Sequence, residues 1–382
     1  MGHITFLVAV VIATALAFDF TNGFHDTANA MATSIATGAL RPKVAVLISG
    51  VLNLVGAFLS TEVARTVSGG IVDDALVTPA MIFAGLVGAI LWNLMTWLLG
   101  LPSSSSHALF GGLIGAVWVG AGEHGVHFEM VVEKIIVPAV LSPVVAGVAA
   151  LLATYLAYRL TRRARERTVG RGFRIGQIAS ASMVSLAHGT NDAQKTMGVI
   201  TLTLISCGAL GKQAGPPVWV IGTAGLAIGL GTYIGGWRII RTMGRGITDI
   251  QAPQGFAAEA ASTAVILSSA SLGFALSTTQ VCSGGILGAG IGRRLAEVRW
   301  GVASRMAVGW LVTLPSAAAV GAVAAAVVVH GGTAGIVVIA VLTAAVAGGI
   351  VLLSRRNPVR ADNVNDAHDV AVRPSAPAVA AA

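Results

Sequence analysis

Apolar residues recur along this chain in long runs, separated by short polar loops. A run of about 20 apolar residues, at 1.5 Å rise per residue, crosses the hydrocarbon core of a bilayer as a helix. The pattern predicts segments at 4–38, 44–64, 79–100, 103–121 and 131–158, then at 174–206, 216–237, 256–276, 278–292, 301–329 and 333–353. The expected fold is an all-α integral membrane protein of about 11–12 membrane segments. The stretches 103–121 and 278–292 are short, and read either as full crossings or as re-entrant hairpins. The first run lacks a basic leader and continues directly into a polar motif. It therefore reads as a helix and not as a cleaved signal.

The loops divide by charge. Residues 159–174 hold seven Arg and one Glu, and 159–173 reads as a cytoplasmic linker. Counting crossings outward from it places Arg41 and Lys43 inside, with Arg238, Arg241 and Arg245, then Arg293, Arg294 and Arg299, then Arg355 and Arg356. Glu62, Asp73, Asp74, Glu123, Glu129 and Glu133 fall outside. That asymmetry obeys the positive-inside rule, and sets the N-terminus outside. The expected organisation is 1–158 as a first repeat, 174–329 as a second of inverted topology, 330–353 as an extra helix, and 354–382 as a disordered tail.

Two motif pairs support the repeats. Gly23-Phe24-His25-Asp26-Thr27-Ala28-Asn29-Ala30-Met31 aligns with Gly189-Thr190-Asn191-Asp192-Ala193-Gln194-Lys195-Thr196-Met197. Ser104-Ser105-Ser106-His107, followed by Gly111-Gly112, aligns with Ser277-Thr278-Thr279-Gln280, followed by Gly284-Gly285. The motifs keep the same order in each half. Inverted repeats of this kind place substrate at their interface near the bilayer midplane, on broken helices.

Composition narrows the classes. Of 382 residues, 55% are hydrophobic and 10% charged, too few charges to solvate a globular surface of that size. The net charge of +8 sits in short clusters between apolar runs, which argues for membrane orientation and against nucleic acid. Cys207 and Cys282 imply no disulfide framework. No His-Glu-x-x-His, Gly-x-Ser-x-Gly or Walker loop is present, so neither catalysis nor a resident cofactor is expected, and transport would draw on an ion gradient.

The candidate chemistry lies in the motifs. An intramembrane carboxylate costs about 2.5–3.5 kcal/mol on insertion scales, so Asp26 and Asp192 at equivalent places point to cation, metal or proton binding. Asn29 shares a helix face with Asp26, and Lys195 takes the same place beside Asp192. A Lys ammonium there is a fixed positive charge able to meet an anion. It also fills space that a bound cation would otherwise take. Ser104, Ser105, Ser106, Ser277, Thr278 and Thr279 suit helix N-termini, whose free N–H groups favour anions. His25, aligned with Asn191, could move protons near neutral pH. Asp19 reads as a second acid or an interfacial residue, and Glu259 as interfacial. His107 and His188 flank the motifs.

These residues resemble the inorganic phosphate transporter (Pit) family in its bacterial low-affinity form. The segments 22–30 and 188–198 look like its two signatures, and 102–107 and 277–280 like its paired hairpin tips. The resemblance spans about 4–350. It implies a secondary transporter with transport and scaffold parts, commonly a homodimer, taking up phosphate at the cytoplasmic (inner) membrane. Asp26, Asn29 and Asp192 would then serve the cation or phosphate site, and the six Ser and Thr residues phosphate, joined by Asn191 and Lys195. His25 and the Gln194-Lys195 pair depart from sodium-coupled members. They are similar to the proton-coupled type, which is implied to carry phosphate as a neutral complex with a divalent metal. The leading expectation is proton-coupled phosphate symport. Sodium coupling, sulfate as substrate, and an uncoupled anion channel stand as alternatives.

Overall fold

The computed structural model describes residues 6–293 and 298–366. The helices in chain order are α1 (Phe6–Ala36), α2 (Pro42–Gly56), α3 (Glu62–Gly69), α4 (Pro79–Leu98), α5 (Ser105–Ala121), α6 (Phe128–Val131) and α7 (Val137–Thr161). They continue with α8 (Glu166–Ser206), α9 (Val218–Ile234), α10 (Trp237–Arg241), α11 (Ala252–Ser271), α12 (Thr278–Arg293) and α13 (Trp300–Ser354). Pro42 and Pro79 sit in the first turns of α2 and α4, where the missing N–H costs nothing.

By length and composition, four helical stretches among the described residues can cross a membrane: Phe6–Ala36, Pro79–Leu98, Phe128–Thr161 and Trp300–Ser354. Val218–Ile234 and Trp237–Gly246, bent by 61°, make a fifth as one broken span. The 55-residue α13 is two spans in one. Gly332 breaks it at φ 52°, and Gly335 packs back onto Val327. Residues 301–329 and 333–353 are thus separate arms, as their hydropathy predicts. The large exposed side chains of α7 and α13, among them Val140, Leu141, Val144, Leu152, Leu311 and Val341, form an apolar outer surface suited to lipid. The chain is a multi-pass membrane protein.

The packing repeats as the motifs do. A Cβ on Gly23 of α1 would lie 2.3 Å from the Ile228 carbonyl of α9, and one on Gly189 of α8 2.2 Å from the Asn53 carbonyl of α2. The motif glycines are therefore helix-contact residues that bring α1 onto α9 and α8 onto α2. Likewise Gly115 of α5 meets Ala318 of α13, and Gly288 of α12 meets Gly147 of α7. The two halves use equivalent helices in equivalent contacts. α5 and α12, at 17 and 16 residues, are shorter than a full span. Both begin among buried residues, so the stretches 103–121 and 278–292 are helices that start inside the protein.

Three boundaries differ from expectation. The predicted segment 44–64 is two helices, α2 and α3, with a break at 57–61. The basic linker is mostly helical: α7 runs to Thr161 and α8 starts at Glu166, because Arg is a good helix former. The tail expected to be disordered from 354 is docked as far as 366. Arg238 donates to the Asn357 carbonyl at 2.5 Å, Arg241 to the Asn363 carbonyl at 2.8 Å, and Asn365 to the Ile35 carbonyl at 3.3 Å. Val364 is buried beside them. The rest of the expected tail, and Arg294 of the inner basic cluster, lie outside the described residues.

Candidate functional site

Asp26 and Asp192 sit mid-helix in α1 and α8, which pack side by side. Both are buried. The N-terminal tips of α5 and α12 approach them from the flanks. At each tip the first hydroxyl is a cap: Ser104 accepts from the His107 N–H at 3.1 Å, and Ser277 from the Gln280 N–H at 3.3 Å. Capping one N–H leaves the N–H groups of the next two residues without intrahelical acceptors and fixes how the tip points. Ser104 and Ser277 thus shape the tips, and the second and third hydroxyls enter the site.

The second hydroxyls bind the carboxylates. Ser105 donates to Asp26 Oδ2 at 2.8 Å. Thr278 lies between the two acids, 3.2 Å from Asp192 Oδ2 and 3.4 Å from Asp26 Oδ2. The third hydroxyls meet the residue three past each Asp, and the pairing crosses between halves. Asn29 donates to Thr279 at 3.1 Å, and Lys195 to Ser106 at 2.5 Å. Asn29 also donates to Thr278 at 3.2 Å, and Thr279 to Asp26 Oδ1 at 3.2 Å. Lys195 further pairs with Asp192 Oδ1 at 2.5 Å and donates to the Leu276 carbonyl at 2.8 Å. Asn191 orients the same groups, donating to Asp192 Oδ1 at 2.8 Å and to Leu276 at 3.1 Å. Asp26, Asn29, Asn191, Asp192, Lys195 and the six Ser and Thr residues therefore lie in or directly beneath one cluster.

Histidines complete it. His25 Nδ1 is 2.6 Å from Asp26 Oδ1, and its Nε2 faces Thr96 at 3.2 Å and Ser103 at 3.3 Å. His188 was a weak candidate in the sequence, yet it stands between the acids. Its Nε2 is 3.2 Å from Asp192 Oδ2 and 3.8 Å from Asp26 Oδ2, and its Nδ1 faces the Asn53 side-chain oxygen at 3.2 Å. Ligand atoms of Asp26, His188 and Asp192 all lie within 4.8 Å of one another, as a shared cation requires. The side-chain oxygens of Asn29 and Asn191 are buried without hydrogen-bond partners. They offer two further acceptors next to the acids.

Two more buried acids flank this cluster along α1. Glu259, expected near the interface, is buried. It accepts from Thr33, from Ser34 at 2.8 Å, from Ser180 at 2.5 Å and from Gln177 at 3.4 Å. Asp19 is buried seven residues before Asp26 on the unbroken α1. Seven residues make nearly two turns, so Asp19, Asp26 and Thr33 share a face at intervals of about 10 Å.

A model of the phosphate transporter family matches residues 22–169 and 161–321. A probable low-affinity inorganic phosphate transporter of Mycobacterium tuberculosis (strain ATCC 25618 / H37Rv) is 62% identical over 318 residues, 83% of this chain and 76% of that one. One of Bacillus subtilis (strain 168) is 41% identical over 326 residues, 85% of this chain and 98% of the other. Among solved structures, one described as the sodium-dependent phosphate transporter superposes with a TM-score of 0.76 at 24% identity, covering 85% of this chain and 99% of its own. At that identity the match speaks for the fold.

Proposed function

This chain belongs to the phosphate transporter family, and we propose that it imports inorganic phosphate coupled to protons, by alternating access across the cytoplasmic membrane. The observation that carries the coupling is Lys195. Its ammonium sits against Asp192 and Ser106, where the other half has the neutral Asn29. A built-in monovalent cation occupies one half-site, so that half needs no sodium ion. Imidazoles on both carboxylates give protons a place to reside at the centre of the protein.

Phosphate would enter by exchange. The Ser105, Thr278 and Thr279 hydroxyls now bond carboxylates, and Ser106 bonds the Lys195 ammonium and the Leu276 carbonyl. A tetrahedral oxyanion at the two tips would take those donors and the free N–H groups of the first turns, with Lys195 as counter-charge. The net charge of that load falls if a divalent metal travels with it. Asp26, His188 and Asp192 are a mixed nitrogen and oxygen donor set, which suits a first-row divalent ion better than sodium. The division into repeats 1–158 and 174–329, an inside basic connection, an outside N-terminus and a homodimer belong to the same reading.

The test is uptake of labelled phosphate by the purified full chain in proteoliposomes. An inward proton gradient is expected to drive accumulation, and Asp26→Asn and Asp192→Asn to abolish it. Sodium-driven uptake that ignores the proton gradient would overturn the coupling. Sulfate outcompeting phosphate would reassign the substrate, and conductance without accumulation would make it a channel. Sodium coupling is the second reading. It is favoured by the oxygen-only group of Asp26, Thr278, Thr279 and the unpartnered Asn29 amide oxygen, and by the sodium-dependent protein sharing the fold.

A further inference from the structure

The central cluster leaves one buried acid unused. Both carboxylate oxygens of Asp19 are buried without a hydrogen-bond partner. So are both amide atoms of Asn22 and the Thr196 hydroxyl, which lie beside Asp19 without reaching hydrogen-bond geometry. Asp19 and Asn22 come from α1 and Thr196 from α8, so the group sits between the two helices that carry Asp26 and Asp192. Buried polar atoms are nearly always partnered, and a cluster of five that are not asks for a reason. Glu259, the acid on the other side of the centre, makes the contrast: four side-chain donors surround it.

A bare carboxylate in such a place is costly, since neither donors nor a counter-ion offset its desolvation. No cation lies within ion-pair distance of Asp19 among the described residues. On α8 the charged groups that face this region include Asp192 and His188, with Lys195 next in sequence to Thr196 and paired to Asp192. On α1 itself the nearest titratable groups are His25 and Asp26. α4 carries none, α9 only the exposed Tyr233, and α2 only Lys43 at its exposed first turn. α5, α10 with the turn Thr242–Gly246 after it, α11 and α12 meet α1 at Phe24 or beyond, toward Ala36, bringing His107, Arg238, Arg241, Arg245, Glu259 and Arg293. Among the described residues, nothing on the Phe6 side of the centre neutralises Asp19 except a proton.

We propose that Asp19 is a proton-binding site of the transport cycle, on the Phe6 side of the central cluster between α1 and α8. It holds a proton while α1 and α8 are packed as seen here. It exchanges that proton with water when this side opens. The protonated carboxyl adds an O–H donor for the Asn22 amide oxygen or the Thr196 hydroxyl, which lie beside it. Its charge state is felt by His188 and Asp192, and so couples the Phe6 side to the phosphate site. The inference rests on the proton-coupled reading above.

The test separates the two. In proteoliposomes, wild-type phosphate accumulation under a proton gradient is measured first, and its absence would sink the coupling reading itself. With coupling present in the wild type, Asp19→Asn is expected to lose gradient-driven accumulation. Exchange of external for internal phosphate, which needs no net proton movement, is expected to persist and to become insensitive to external pH. Asp19→Glu is expected to restore accumulation. The infrared difference spectrum between acidic and alkaline buffer is expected to lose one carboxylic-acid carbonyl band in Asp19→Asn. Accumulation by Asp19→Asn with the wild-type pH profile, an unchanged infrared spectrum, or loss of exchange together with accumulation would each overturn the assignment.

Discussion

Lys195 Nζ stands 2.5 Å from Ser106 Oγ, so a cation from the second half grips the helix tip of the first. The equivalent contact in the other direction, from Asn29 to Thr279 at 3.1 Å, is a neutral hydrogen bond. The two bonds lace the halves together across the site, and in the proposed cycle phosphate at the tips displaces both. They also make the two half-sites chemically unequal. A carboxylate with an ammonium beside it is already neutralised. Asp26, which faces imidazoles, an amide and hydroxyls but no Lys or Arg, is open to a further positive charge.

Replacing Lys195 by Asn copies the Asn29 half-site into the second half. Removing one partner of a buried ion pair costs about 3–5 kcal/mol. Lys195→Asn is therefore expected to lower thermal stability in detergent and to reduce proton-driven phosphate uptake. Because Asp192 would then lack its cation, added sodium should restore part of both. A variant indifferent to sodium in melting and in transport would show that the ammonium does not stand in for a bound cation.

Much of this site was legible in the chain, for a physical reason. Asp26, Asp192, Lys195 and the hydroxyl runs interrupt apolar stretches that cannot carry polar groups without cost, and they do so twice at matching positions. His188, Asn53 and Thr96 were not legible as site residues. Each is a single polar residue on a helix, and only the packing of α1, α2, α4 and α8 decides whether it meets a carboxylate. The burial of Glu259 is not legible in the chain, because its donors come from Thr33 and Ser34 on one helix and Gln177 and Ser180 on another. The docked segment 355–366 is hard to read in the chain because its main bonds from Arg238 and Arg241 end on the Asn357 and Asn363 carbonyls, and a carbonyl leaves no mark in the sequence.

Among the described residues, Thr278 is the one hydroxyl that reaches both acids. Thr278→Val keeps the shape and removes the oxygen. A hydrogen bond to a charged group is worth about 1.5–3 kcal/mol, which corresponds to about a 10- to 100-fold change in affinity. The variant is expected to raise the phosphate concentration for half-maximal uptake within that range, while Ser277→Ala, which loses only a cap, should act mainly on stability. Equal transport effects from the two would contradict the division between cap and site.

The motif glycines should respond to size alone. A methyl group on Gly189 would fall 2.2 Å from the Asn53 carbonyl, whereas one on Gly170 meets nothing within 4 Å. Overpacking of this kind costs about 1–3 kcal/mol. Gly189→Ala is expected to lower the melting temperature of the detergent-purified chain and to disturb His188 through Asn53, with Gly170→Ala unchanged. Similar melting for both would mean that α2 and α8 are not held at this distance.

His188 gives the sharpest test of what travels with phosphate. Its Nε2 is 3.2 Å from Asp192 Oδ2, close enough for both to ligate one ion, and an imidazole nitrogen favours divalent transition ions over sodium. Chelator in the external buffer is therefore expected to suppress phosphate uptake, and manganese or cobalt to restore it. Radiolabelled metal should enter with phosphate in a fixed ratio. His188→Gln keeps a polar side chain but offers no imidazole nitrogen. Changing a group that ligates or orients a metal typically costs about 10- to 100-fold in metal affinity. The variant should accordingly need more metal for the same uptake, while its response to the proton gradient persists at saturating metal. Phosphate uptake that proceeds at full rate in chelator, with no labelled metal following it, would leave His188 as a partner of the two carboxylates alone.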